Sequence, residues 1–172
     1  MIILRLATIS ALLMFTTLAS GAPLICDRFE IVTKISGSTL EVSLETDLPD
    51  DTRISITVGR SYWEKGSSEE YSRPYFEQKS TVGEWRRAHE IDIGSARWNK
   101  NLKEFQTEMS KATLGFTVAR ISHDIGVSIV VPINGQTNPR FGDRNKNLEG
   151  KAVTERYGAK LVEGMSRVTH PL

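Results

Sequence analysis

From Phe29 onward, apolar positions recur at every second residue. Phe29, Ile31 and Ile35 alternate with Glu30, Val32 and Lys34; Leu40, Val42 and Leu44 alternate with Glu41, Ser43 and Glu45; Ile54, Ile56 and Val58 alternate with Arg53, Ser55 and Thr57. Side chains two apart share one face of a strand, so each run offers a dry face and a wet face. Strands of parallel sheets are covered on both faces and read as continuous apolar runs, so this alternation predicts antiparallel sheets. Ser36-Gly37-Ser38 and the stretch Asp47 to Thr52 have lengths suited to hairpin turns, which would join these strands as a meander.

Further along, residues 69–78 read as an edge strand, because Pro74 has no amide proton to give a central ladder. Trp85 to Ile93 regains the alternation, with His89, Ile91 and Ile93 on one face. Leu114 to Ile121 and Ile125 to Ile133 read as a hairpin whose turn is Ser122-His123-Asp124. The β-branched Ile125, Val127, Ile129, Val131 and Ile133 share one face, which places the second strand at the centre of a sheet. The polar run Asn134 to Gly150 is a long connection of the kind that is functional or mobile. A last strand over Lys151 to Val162 would carry Val153, Tyr157 and Leu161 toward the core.

One segment has a different period. Trp98, Leu102, Phe105, Met109 and Ala112 fall at i, i+4, i+7, i+11 and i+14, an arc of about 80° on a helix. Ser95 suits the N-cap, Lys100 and Glu104 form an i,i+4 pair, and Gly115 follows where a helix could stop. The pattern therefore predicts a mainly β chain: an antiparallel β-sandwich, immunoglobulin-like or C2-like, of about seven to eight strands with one amphipathic helix at residues 96–112. The hairpin-like stretch LEVSLETDLPDDTRISITV resembles those of exported bacterial sandwich domains.

The first residues change the picture of where the protein works. Arg5 is followed by an apolar run from Leu6 to Leu18 and the small residues Ala19-Ser20-Gly21-Ala22, the layout of an export signal. The run is shorter than the ~20 residues that cross a bilayer as a helix, and no second such run follows. The expected organisation is a signal peptide at 1–21, a single β-sandwich domain at 22–165 and a flexible tail at 166–172, with a periplasmic or extracellular location. Losing Arg5 with the leader balances the basic residues against the 21 Asp and Glu. A chain without net positive charge is a poor binder of phosphate backbones, which disfavours nucleic acid as a partner. Cys26 is the single cysteine, so it has no intramolecular disulfide partner. Pro23-Leu24-Ile25 before it do not match a lipobox, and a buried thiol is the preferred reading over lipidation or an intermolecular bridge.

Candidate chemistry is sparse. Asp47, Asp50 and Asp51 lie in one short loop and could supply part of a calcium shell, which resembles the way C2-type sandwiches hold the ion between apical loops. Asp and Pro are also the ordinary residues of turns, and that reading is preferred. Asp143, Asn145 and Asn147 imitate the opening of an EF-hand loop, but Leu148 stands where Gly is needed and Thr154 where a bidentate Glu is needed. His89, His123 and His170 lack zinc spacing, and Ser122-His123-Asp124 are adjacent, whereas catalytic triads are assembled from distant segments. The most suggestive group is Arg60, Tyr62, Trp63, Arg73, Tyr75 and Trp85, residue types enriched where proteins bind partners. These could serve another envelope protein or a glycan, or fill a core with arginines lying over it. The leading expectation is a non-catalytic binding or interaction module of the bacterial envelope. The alternatives are a calcium-dependent ligand or membrane binder through the 45–52 loop and a hydrolase using His89 or His123 as base.

Overall fold

The computed structural model describes residues 22–94, 100, 103–105, 107 and 118–170. The expected leader lies outside them, as does most of the expected helix at 96–112. Lys100, Lys103, Glu104, Phe105 and Thr107 of that segment are helical, and the Lys100–Glu104 pair is formed at 3.5 Å.

The described chain is mainly β and its large sheets are antiparallel. Strands β1 (Leu24–Ile25), β2 (Phe29–Ser36), β3 (Thr39–Thr46), β4 (Arg53–Glu64) and β5 (Glu70–Thr81) precede a short helix α1 (Val82–Trp85). Strands β6 (His89–Asp92), β7 (Val118–Val131), β8 (Leu148–Glu149), β9 (Val153–Arg156) and β10 (Ala159–Thr169) follow. A five-stranded sheet runs β5-β4-β7-β10-β9 and a three-stranded sheet runs β2-β3-β6, while β1 and β8 form a two-stranded parallel clasp.

The alternation decides which faces meet. Leu40, Val42 and Leu44 of β3, Ile54, Ile56 and Val58 of β4, and Ile125, Val127, Ile129 and Val131 of β7 are buried in one cluster with Val162 and Ile91. Both sheets thus contribute their dry faces to one core, each such side chain worth about 1.5–3 kcal/mol of burial. The expected central position of the 125–131 strand is found, with β7 third of five.

Several expectations are corrected. The loop at residues 47–52 does not close a hairpin: β3 pairs with β2 and β6, and β4 with β5 and β7, so the loop passes from one sheet to the other. Local turn chemistry is the same for both routes, and only the destination differs. Ser122-His123-Asp124 is not a turn either, because β7 is one strand of 14 residues. Its pairing with β4 jumps from Arg60↔Ile125 to Tyr62↔Ile121, so the turn-forming residues make a bulge inside a continuous strand. The strand expected over 151–162 is instead a hairpin turning at Tyr157-Gly158, where both residues have positive φ (53° and 67°), and Tyr157 is 96% exposed. Residues 166–169, expected in a loose tail, extend β10 along β7, where Thr169 pairs with Asp124. Trp85, expected to begin a strand, ends α1 and is fully buried.

Candidate functional site

Two adjacent glycines shape the exposed face of the five-stranded sheet. Gly59 of β4 lies opposite Gly126 of β7, and Gly126 lies opposite Arg167 of β10. Gly59 is forced by its neighbour: Val58 pairs with Phe76 but Gly59 with Pro74, so Tyr75 is an extra residue and β5 bulges there. A Cβ on Gly59 would sit 2.2 Å from the Arg73 carbonyl oxygen. Nothing comparable constrains Gly126, whose Cβ would find only the Gly59 carbonyl at 3.9 Å.

The two glycines floor a groove of about 350 Å³ on the outer face. Thr57, Ser61, Ser72 and Ser128 line it with hydroxyls, and Met165 gives it apolar surface. Across it runs an ion pair between Arg167 of β10 and Glu70 of β5, at 2.8 Å. A hydrogen bond with Ser61 and the Arg167 guanidinium hold the Glu70 carboxyl below the usual carboxylate range. Beside the groove, the Arg120 guanidinium stacks over the Trp63 ring at 3.7 Å.

The bulges divide the residues that the sequence grouped together. Trp63 faces outward next to Glu70 and Arg120. Tyr62 faces inward and stacks on Tyr71 at 5.4 Å, with Phe105 edge-on at 5.1 Å. Tyr75 and Arg73 join this small inner cluster, Tyr75 edge-on to Phe105 at 6.3 Å and the Arg73 guanidinium 5.5 Å from the same ring. Burial pushes the Tyr75 phenol up to about 12. Trp85 lies apart, in the main core and stacked on His89 at 4.3 Å.

Arg60 is buried, only 3% exposed, and its role is to hold the β7 bulge. One guanidinium nitrogen donates to the carbonyls of Ser122 (3.1 Å), His123 (2.7 Å) and His170 (2.9 Å). Burial lowers its pKa from the ordinary guanidinium value, partly offset by the charges of Tyr75 and Asp124. The six residues therefore split among an outer ledge, an inner cluster, a buried tie and the main core.

The aspartates of the 47–51 loop are each engaged by nitrogen donors. Asp47 accepts from the amides of Asp27 (2.9 Å) and Arg28 (3.5 Å), and Asp51 from the Asn138 side chain at 3.4 Å. Asp50 accepts from Arg86 at 2.6 Å, and the same guanidinium donates to the carbonyls of Thr46 and Leu48. Among the described residues no group of three or more His, Cys, Asp or Glu side chains is arranged to hold a metal ion. Asn145, part of the EF-hand-like spelling, is buried and donates to the carbonyls of Pro132 and Lys160. His89 Nε2 lies 2.8 Å from the Glu84 carbonyl. Cys26 is buried and free, its thiol pushed up to about 12 by burial.

Sequence reasoning missed Gly126, Ser128, Met165 and Arg167 as lining residues. The available signal was a glycine interrupting each of two strand patterns, which marks a bulge or a close backbone approach. That the two glycines face one another depends on register, which no single run reveals. No protein-family model matches the chain, and no curated protein matches it.

Proposed function

We propose that this chain is an exported, non-catalytic binding module of antiparallel sandwich architecture that takes a glycan on the outer face of its five-stranded sheet. The observation that carries the reading is the groove over Gly59 and Gly126. Gly126 in its floor lets a ring approach the backbone, its hydroxyls and the Glu70–Arg167 pair offer donors and acceptors, and Met165 offers apolar contact to a sugar's C–H face. Such mixed lining is how small polar ligands are oriented. The shared core of the two sheets supports the sandwich, and the leader supports export. A binding role, not glycoside hydrolysis, fits the charge inventory. Most glycosidases flank the bond with two carboxyl groups, whereas among the described residues Glu70 is the one carboxylate lining this groove, and it is tied to Arg167.

The test is a glycan array on the chain lacking residues 1–21, followed by calorimetry on the best oligosaccharide with wild type and Gly126→Phe. The phenyl group fills the groove from a position that has room for a side chain. Wild type should bind, Gly126→Phe should not, and its melting temperature should not fall. Binding that survives this substitution, or no binding to any glycan, contradicts the reading.

A further inference from the structure

The three-stranded sheet ends on β2, and among the described residues no strand pairs with its other side. Among the described residues it is one of two long regular edges, the other being β10 beyond Val162, whose Ser166 hydroxyl lies 2.8 Å from that of Thr33. The β5 edge is interrupted by Pro74 and the bulge opposite Gly59, and β6 and β9 have four residues each.

The register determines what this edge presents. Ser38 O accepts from Ile93 N on the β6 side, so Thr39, Glu41, Ser43 and Glu45 turn their backbone groups toward β2. Their partners Ser36, Lys34, Val32 and Glu30 are the bonded residues of β2. Phe29, Ile31, Thr33 and Ile35 therefore point their N–H and C=O groups out of the sheet. On the wet face, Val32 is one of the few large apolar side chains left exposed, at 44%, with Glu30 on one side of it and Lys34 on the other.

We infer that β2 is a self-complementary edge on which a second copy of this chain docks antiparallel, centred on Val32, to make one continuous six-stranded sheet. About that two-fold axis Glu30 meets Lys34, Ile31 meets Thr33, Phe29 meets Ile35 and Val32 meets itself. The outward-pointing residues fall opposite one another, so the ladder closes without a slip. Glu30, Val32 and Lys34 fall in the non-hydrogen-bonded pairs, where side chains approach most closely. Charge favours this register. Within one copy Glu30 lies directly opposite Glu45, a like-charge pair held by Arg28, and the incoming Lys34 adds a second cation to it. Moving the centre to Ile31 would set Lys34 against Arg28, and moving it to Thr33 would set Glu30 against Ser36. One strand edge buries less than the ~1,600 Å² of a standard interface, so the dimer is concentration-dependent.

Two measurements test this on the chain lacking residues 1–21. Sedimentation over a concentration series should show a monomer–dimer equilibrium. Glu30→Lys and Lys34→Glu should each weaken it by about tenfold or more, and the double swap should restore it, since it re-forms both cross-axis pairs. Under mild oxidation Val32→Cys should form a covalent dimer, because a non-hydrogen-bonded pair brings Cα atoms to about 4.5 Å, within disulfide reach. Lys34→Cys should not, since its copies lie about 13 Å apart along the strands. The native Cys26 is buried and does not compete. A monomer at every concentration, a dimer indifferent to the charge reversals, or cross-linking at residue 34 as readily as at 32 would overturn the inference.

Discussion

Gly59 and Gly126 face each other across β4 and β7, yet a methyl group should have opposite effects at the two sites. Neither has a φ in the left-handed region, so alanine is conformationally acceptable at both. At such positions Gly→Ala stabilises by about 0.4–1 kcal/mol, because the unfolded chain loses freedom. At Gly126 the new Cβ would meet nothing nearer than 3.9 Å, so that gain stands. At Gly59 it would meet the Arg73 carbonyl oxygen at 2.2 Å, with Arg73 C and Pro74 Cα at 2.9 Å. These are backbone atoms of the bulged edge strand, which cannot swing aside as a side chain could. Overpacking of this kind costs about 1–3 kcal/mol. The net expectation is a loss of about 1–2 kcal/mol for Gly59→Ala and a gain of about 0.5 kcal/mol for Gly126→Ala. At about 2–4 °C per kcal/mol for a chain of this size, the melting temperature falls by about 2–8 °C in the first and rises by about 1–2 °C in the second. Calorimetric melting of the two variants beside wild type reads the difference. Equal shifts, or a stabilised Gly59→Ala, would refute the bulge as the reason for glycine and with it the shape of the groove floor.

Two further outcomes follow from a buried thiol and from the arginine that ties the 47–51 loop. The Cys26 thiol, pushed up to about 12, keeps its proton in the folded state while an unfolded thiol ionises near 9.0. The folded state then binds more protons, so stability from this group is complete below pH 9 and falls by about 1.4 kcal/mol per pH unit from there toward 12. Tyr75 adds the same sign above pH 10.0, so the part due to Cys26 is the difference between wild type and Cys26→Ala in urea unfolding at pH 7 and 10.5; equal pH slopes would contradict it. Arg86→Ala removes the guanidinium that ties Asp50 and the carbonyls of Thr46 and Leu48, and should cost about 1–3 kcal/mol that added calcium does not restore. Recovery of the melting temperature in calcium would instead assign the loop to a metal.

The parts of the fold legible in the sequence are those where a half-buried strand writes its own alternation. Phe29 to Val58 and Ile125 to Val131 read correctly because one face of each meets the core. What failed was partnership. The loop at 47–52 and the bulge at 122–124 are built from turn-forming residues, and such residues bend a chain without saying where it goes next. Arg60 shows why: its carbonyl contacts at Ser122, His123 and His170 come from segments more than 60 residues away, so the bulge is stabilised by tertiary bonds that local propensity does not register. Tyr157 was drawn toward the core by strand periodicity, although Gly158 beside it is the signal for a tight hairpin turn. The aromatic and basic residues at 60–75 do cluster, but the bulge opposite Gly59 changes which of them face out. Of those six residues only Trp63 reaches the outer ledge, beside a groove whose floor and walls are largely Gly59, Gly126, Thr57, Ser61, Ser72 and Ser128, types that carry no functional signal.

The claim that matters most is that the outer face of the five-stranded sheet is where ligand is taken. Titration of ¹⁵N-labelled protein with the best-binding oligosaccharide addresses it residue by residue. The account predicts amide shifts concentrated at Gly59, Ser61, Ser72, Gly126 and Ser128, with the loop at Asp47 to Asp51 unmoved. Shifts centred on that loop, or on the edge of β2, with the groove silent would contradict it.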